Sequence, residues 1–138
     1  MGANGTILVA EDDRVQIDIF KWAFENSGYE VKAFSDGAEV IDRVHELNPD
    51  LIILDIKLPH VDGWEIAAKL KSDAVARNTP VIIVSGLSKK DNTTNALLCG
   101  CLDYLEKPCD PREIVEKAEK YIRLGRIKKK ASRLYENM

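Results

Sequence analysis

Three acids, Glu11, Asp12 and Asp13, follow the aliphatic run Ile7-Leu8-Val9-Ala10, and a fourth, Asp55, follows Leu51-Ile52-Ile53-Leu54. Ser85 follows Val81-Ile82-Ile83-Val84, and Lys107 lies just beyond Leu102-Asp103-Tyr104-Leu105. Carboxylates gathered in one hollow repel by roughly 4 kcal/mol per pair at about 4 Å and an effective dielectric near 20. A cluster with only oxygen ligands therefore favours a hard cation such as Mg²⁺, which keeps several waters and leaves room for a phosphate oxygen. A carboxylate can also attack phosphorus and form an aspartyl phosphate. Positive charge and a hydroxyl nearby would stabilise the transferred group. Taken singly, each acid could equally well cap a following helix, and Asp13 is assigned that role.

These chemistries matter only if the chain brings the residues together. The 138 residues, 45% hydrophobic and 31% charged, describe one folded domain. Aliphatic runs stop at four residues, far short of the roughly 20 of a membrane helix. Met1-Gly2-Ala3-Asn4-Gly5 has neither a basic start nor an apolar h-region, so no secretory signal is expected. With 20 Lys+Arg against 23 Asp+Glu, the net charge of −3 does not suggest a phosphate-tracking surface over the whole domain. The three cysteines, Cys99, Cys101 and Cys109, read as reduced thiols of a cytoplasmic protein. They lie far from His45 and His60 and show no standard zinc spacing, so they are expected to be small buried side chains.

Unbroken β-branched runs suit strands covered on both faces. The alternating Glu30-Val31-Lys32-Ala33-Phe34 and the charge-interrupted Leu102 to Leu105 suit sheet edges. Helical spacing appears between them. The first helix carries Val15, Ile19 and Ala23, with Phe20 and Phe24 alongside. The second carries Val40, Ile41, Val44 and Leu47, ending before Pro49. Asp62-Gly63-Trp64-Glu65 reads as a capping box, and Asp110-Pro111-Arg112-Glu113 repeats it with proline at the first helical position. The segment Asp91-Asn92-Thr93-Thr94-Asn95 makes the fourth helix the weakest, with Ser88 and Asp91 available to cap it. Right-handed crossovers make all five strands parallel. In a doubly wound, flavodoxin-like α/β sheet of order 2-1-3-4-5 with five helices, the crevice opens between the first and third strands. Glu11, Asp12 and Asp55 would flank it, with Ser85 and Lys107 beyond.

The motifs ILVAEDD (7–13), LIILDIKLPHVDG (51–63), VIIVSG (81–86) and GCLDYLEKP (100–108) resemble those of the receiver domain of two-component response regulators. The chain is similar to the single-domain, chemotaxis-type members. The resemblance covers about residues 5–124, and it implies a phosphorelay module rather than a turnover enzyme. Asp55 would accept a phosphoryl group from the phosphohistidine of a sensor histidine kinase or phosphotransfer protein, with self-catalysed transfer and slow autodephosphorylation. Glu11 and Asp12, with Asp55 and the backbone carbonyl of Lys57, would hold Mg²⁺, for which Mn²⁺ can substitute. Ser85 would take the hydroxyl role and Lys107 that of the active-site lysine. Tyr104 would be the aromatic switch, swinging inward as Ser85 moves and repacking the surface of the fourth helix, fifth strand and fifth helix. A cis Lys107-Pro108 peptide is implied as well. Ser85-Gly86 stands where Thr-Ala is frequent in the family, but the hydroxyl is retained.

Residues 1–124 are read as the receiver domain, and 125–138 as a basic tail or an extension of the last helix. The Arg126 to Lys130 run is read as a solvated tail, and neither direct nucleic-acid binding nor membrane insertion is expected. The partners implied are the kinase and an unidentified downstream protein, with a monomer or transient homodimer and a cytoplasmic setting. Two other classes compete. A phosphohydrolase of the haloacid-dehalogenase type would need a second acid two residues after its nucleophile, where Lys57 stands. A flavin-binding module would need a phosphate-binding loop after the first strand, where this chain has three acids.

Overall fold

The structure, a computed structural model, describes residues 4–137. Five strands, β1 (Gly5–Ala10), β2 (Tyr29–Phe34), β3 (Leu51–Leu54), β4 (Val81–Ser85) and β5 (Asp103–Glu106), form one parallel sheet of order β2-β1-β3-β4-β5. Five helices cover it: α1 (Arg14–Glu25), α2 (Val40–Leu47), α3 (Gly63–Ser72), α4 (Lys89–Leu98) and α5 (Pro111–Glu136). This is the doubly wound arrangement expected from the sequence, with the alternating and the charge-interrupted strands at its edges. Among the described residues, no helix is long and apolar enough to cross a membrane.

Successive strand side chains point to opposite faces, so each aliphatic run feeds two cores. Leu8, Ala10, Ile52, Leu54 and Ile83 pack with Val40, Val44, Ile66, Leu70 and Ala96 from α2, α3 and α4. Ile7, Val9, Leu51, Ile53, Ile82 and Val84 pack with Phe20 and Phe24 of α1 and with Ile114, Ala118 and Ile122 of α5. Burying each such large side chain contributes about 1.5–3 kcal/mol, and that is why these runs form strands at all.

The expected apolar stripe of α1 is corrected in part. Phe20, Ala23 and Phe24 are buried, but Val15 and Ile19 are 67% and 36% exposed. The helix carries more apolar residues than one face can hold, and the two phenylalanines and Ala23 take the sheet side. Trp22 also faces solvent, whereas Trp64 packs against the α2–α4 core. At α3, Asp62 Oδ1 accepts from the Trp64 N–H at 3.0 Å, so the cap is present. Glu65 pairs with Lys69 at 3.6 Å instead of returning to the cap, so only half of the expected box is seen. Asp110 caps α5 with Pro111 in its first turn, as expected. The helix then continues through the basic segment to Glu136.

One glycine positions the site. A Cβ on Gly63 would lie 2.4 Å from Ile56 Cα and 2.6 Å from the Ile56 carbonyl oxygen. Only a bare Cα lets α3 begin against the backbone that leaves Asp55. The contact is with main chain, which cannot rotate away. Gly63→Ala should therefore destabilise the fold by about 1–3 kcal/mol, the range for overpacking a tight site. Urea denaturation measures this directly, and a change within about 0.5 kcal/mol, the usual scatter of neutral surface substitutions, would refute the close-approach argument.

Candidate functional site

The carboxyl ends of β1, β3, β4 and β5 all emerge on one edge of the sheet; β1 delivers two polar side chains to it and each of the others one. Glu11 leaves β1 almost fully buried, at 1% exposure, and Asp55 leaves β3 at 6%. Asp12 lies at the open rim. Glu11, Asp12 and Asp55 each offer a carboxylate oxygen within 4.8 Å of the others. Ser85, at the end of β4, is fully buried.

Lys107 closes the arrangement. Its ammonium donates to Glu11 Oε1 and, at 2.9 Å, to Asp55 Oδ2. Its backbone N–H donates to the Ser85 carbonyl at 2.7 Å, which continues the β4–β5 ladder one residue past the strand. The Lys107-Pro108 peptide is cis. Burial pushes the Glu11 carboxyl above its ordinary value, against the pull of the Lys107 hydrogen bond. Burial works against the charge on Lys107 too, but its bonds to Glu11 and Asp55 outweigh this and hold the ammonium above its usual value. The lysine stays charged throughout the neutral range.

Backbone donors hold the acids still. Glu11 Oε2 accepts from the N–H groups of Asp12 and Asp13 at 3.0 and 3.3 Å. Asp55 Oδ1 accepts from the Lys57 N–H at 3.0 Å. Asp13 turns away and caps α1 through Val15 and Gln16, which separates it from the cluster as its sequence position suggested. Lys57 begins a short antiparallel ladder, Lys57–Leu58 with Val61–Asp62, turned by Pro59 and His60. His60 is exposed and takes a positive φ of 67° in that turn.

Tyr104 departs from the expected starting position. Its ring is already inside the core at 2% exposure, and its hydroxyl donates to the Leu87 carbonyl at 2.8 Å. The buried phenol finds an acceptor there, so nothing drives the ring out. Ser85 Oγ accepts from the Leu87 N–H at 3.3 Å, and the two side chains thus bracket one residue. Glu106 was not singled out from the sequence, yet its Oε1 accepts from the Lys89 N–H at 2.7 Å and ties the start of α4 to β5. No local spacing signals such a bond, because its partners come from separate elements. The cysteines are free thiols; Cys101 is buried as expected, whereas Cys99 and Cys109 are only partly buried. Burial pushes Cys101 up to about 12, which keeps it un-ionised.

An open α/β sheet with its polar residues at a topological switch point is a flavodoxin-like ligand-handling fold, and relatives make the class specific. Residues 7–119 match the response regulator receiver domain model, and the chain belongs to that family. The polar-differentiation response regulator DivK of Brucella ovis is 33% identical over 117 residues, covering 85% of this chain and 95% of DivK. A CheY-like receiver domain protein of Methanospirillum hungatei superposes with a TM-score of 0.82 at 28% identity, covering 89% and 97% of the two chains. The receiver domain of sensor histidine kinase PA1611 of Pseudomonas aeruginosa aligns with a TM-score of 0.78 at 25% identity, covering 86% and 97%, and its structure carries a magnesium ion in the active-site cleft. The chain is thus a signalling module of the two-component class, whose partners are histidine kinases.

Removing Lys107 would leave Glu11 and Asp55 buried without their cation. Lys107→Ala should cost about 3 kcal/mol at neutral pH, the scale for breaking a buried ion pair from one side. Chemical denaturation of both proteins checks this, and a loss under about 1 kcal/mol, the scale of an exposed pair, would show that solvent screens the cluster.

Proposed function

We propose that the module takes a phosphoryl group onto Asp55 from a histidine kinase or phosphotransfer protein. The observation that carries this reading is the convergence of Glu11, Asp12, Asp55 and Lys107 at one sheet edge. Asp55 Oδ2 is held by Lys107 and Oδ1 by the Lys57 N–H. The carboxylate is therefore oriented before any donor arrives, and its attack on phosphorus needs no rotamer search.

Glu11, Asp12 and Asp55, with the Lys57 carbonyl, would hold Mg²⁺. The fit rests on the donor set: three hard carboxylate oxygens in close reach, with the rim residue Asp12 open to water. When bound, Mg²⁺ supplies positive charge that offsets the carboxylates and the phosphoryl oxygens. Lys107 lends its ammonium to the incoming phosphoryl oxygens, easing their repulsion from Asp55. The Ser85 hydroxyl can leave the Leu87 N–H and donate to one of them. That transfer would loosen the Leu87 segment on which the Tyr104 hydroxyl rests, and the surface of α4, β5 and α5 would repack as the output. α4 suits such a shift, since only Ala96 of it is buried.

Two experiments test the reading. A small-molecule phosphodonor with Mg²⁺ should add one acid- and base-labile phosphate, detected by intact-protein mass spectrometry. Asp55→Asn should abolish it, and stable labelling of that variant would overturn the assignment. Mg²⁺ alone should raise the melting temperature by relieving repulsion among the three acids. Asp12→Ala should lose most of that shift, whereas an undiminished response would remove Asp12 from the metal site.

A further inference from the structure

α5 outlasts the sheet it packs on. Its buried positions, Ile114, Ala118 and Ile122, end before the last four turns of the helix. Beyond them Leu124, Ile127 and Leu134 are 45%, 59% and 60% exposed. With Ala131 they recur at alternating steps of three and four residues, which draws one apolar stripe along the solvent side of the helix. The stripe starts beside a groove of about 320 Å³ between α5 and the chain entering β4, with Pro80, Leu102, Leu124 and Ile127 among its walls and the exposed Arg77 and Lys128 also lining it. α5 runs close there, since a Cβ on Gly125 would sit 3.3 Å from Pro80 Cδ.

The charge of this region is opposite to that of the rest of the chain. Residues 123–138 hold six Lys and Arg against one acid, a net of +5, while the preceding 122 residues carry −8. Of those six cations, only Arg126 forms an ion pair among the described residues, with Asp50 at 3.3 Å. Arg123, Lys128 and Lys130 flank the apolar stripe and are left for a partner.

We propose that this surface docks an amphipathic protein helix with acidic flanks, its apolar residues entering the groove and its carboxylates meeting the flanking cations. Three alternatives fit less well. A second copy packing stripe to stripe would set like charges beside each other. A flat anionic membrane cannot fill a concave groove. A nucleic acid has no aliphatic side chains to place against Pro80, Leu102, Leu124 and Ile127. A helix with apolar anchors at three- and four-residue spacing satisfies both the shape and the charge. The groove lies at the amino ends of the strands, opposite Asp55, so its occupant leaves the acidic hollow clear.

The test uses the full chain and a fluorescein-labelled synthetic helix, with leucines at alternating three- and four-residue steps and glutamates beside them. Fluorescence anisotropy should show this peptide binding at least about tenfold (about 1.4 kcal/mol) tighter than a scrambled peptide of the same composition. Leu124→Ser combined with Ile127→Ser should weaken binding by about tenfold without lowering the melting temperature. Lys128→Glu with Lys130→Glu should do likewise, and Asp55→Asn should bind as the parent does, which separates this proposal from the phosphoacceptor reading. Equal binding of the scrambled peptide would overturn the proposal. So would equal or tighter binding of phosphatidylserine-containing vesicles or of a thymidine oligonucleotide. Sedimentation showing a dimer that the two serines abolish would assign the surface to a second copy and overturn it as well.

Discussion

The ammonium of Lys107, shared between Glu11 and Asp55, is the contact on which the acidic hollow depends. Two carboxylates at 1% and 6% exposure have given up most of their hydration, and a buried charge without a partner costs several kcal/mol. A single lysine compensates both, which requires their strand ends to lie close together. Glu11 and Asp55 are brought side by side because β1 pairs with β3. Lys107 arrives from two strands further along because β3 pairs with β4 and β4 with β5. The bond from the Lys107 N–H to the Ser85 carbonyl fixes where that lysine leaves the sheet. Strand order and charge compensation are therefore one constraint seen at two scales.

The compensation is incomplete, and the shortfall is informative. One ammonium faces three carboxylates, two of them buried and Asp12 at the solvent rim, which leaves the cluster net negative. Burial already pushes Glu11 toward its protonated form. Such a site gains from any small hard cation that reaches the Asp12 rim, and it repels an anion until that cation is present. A phosphoryl donor is such an anion. On the function proposed above, the same crowding of carboxylates would make acceptance of that anion conditional on the metal.

Much of this could be read from the residues in order. The central strands were legible because a strand buried on both faces needs an unbroken aliphatic run, and Ile7 to Ala10, Leu51 to Leu54 and Val81 to Val84 are such runs. The site residues were legible for a related reason, since parallel strands send the residue after each run to one edge. What the order of residues hides is competition between faces and partners across the fold. α1 has apolar residues on more than one face, so periodicity alone could not say that Phe20 and Phe24 go in while Val15 and Ile19 stay out. The resting position of Tyr104 depends on a carbonyl seventeen residues earlier, and Glu106 reaches the start of α4 across the same gap of seventeen. Neither has a local signature.

Those two bonds also locate where a signal could leave the hollow. Side-chain bonds that tie the segment between Ser85 and Lys89 to the hollow and to β5 are Leu87 N–H on the Ser85 hydroxyl, Leu87 carbonyl on the Tyr104 hydroxyl, and Lys89 N–H on Glu106. The first of these uses the group best placed to turn toward a phosphoryl oxygen on Asp55. Ser85 accepts from the Leu87 N–H through a lone pair, so its O–H is free to turn toward a charged acceptor. That bond is stronger than the roughly 1 kcal/mol of a neutral one, and following it would draw Oγ off the Leu87 N–H. With Tyr104 already inside, the proposed transfer to Asp55 would act by releasing the Leu87 backbone beneath an aromatic ring that is in place. The consequence would then fall on α4, which buries only Ala96 and has the least packing to oppose it.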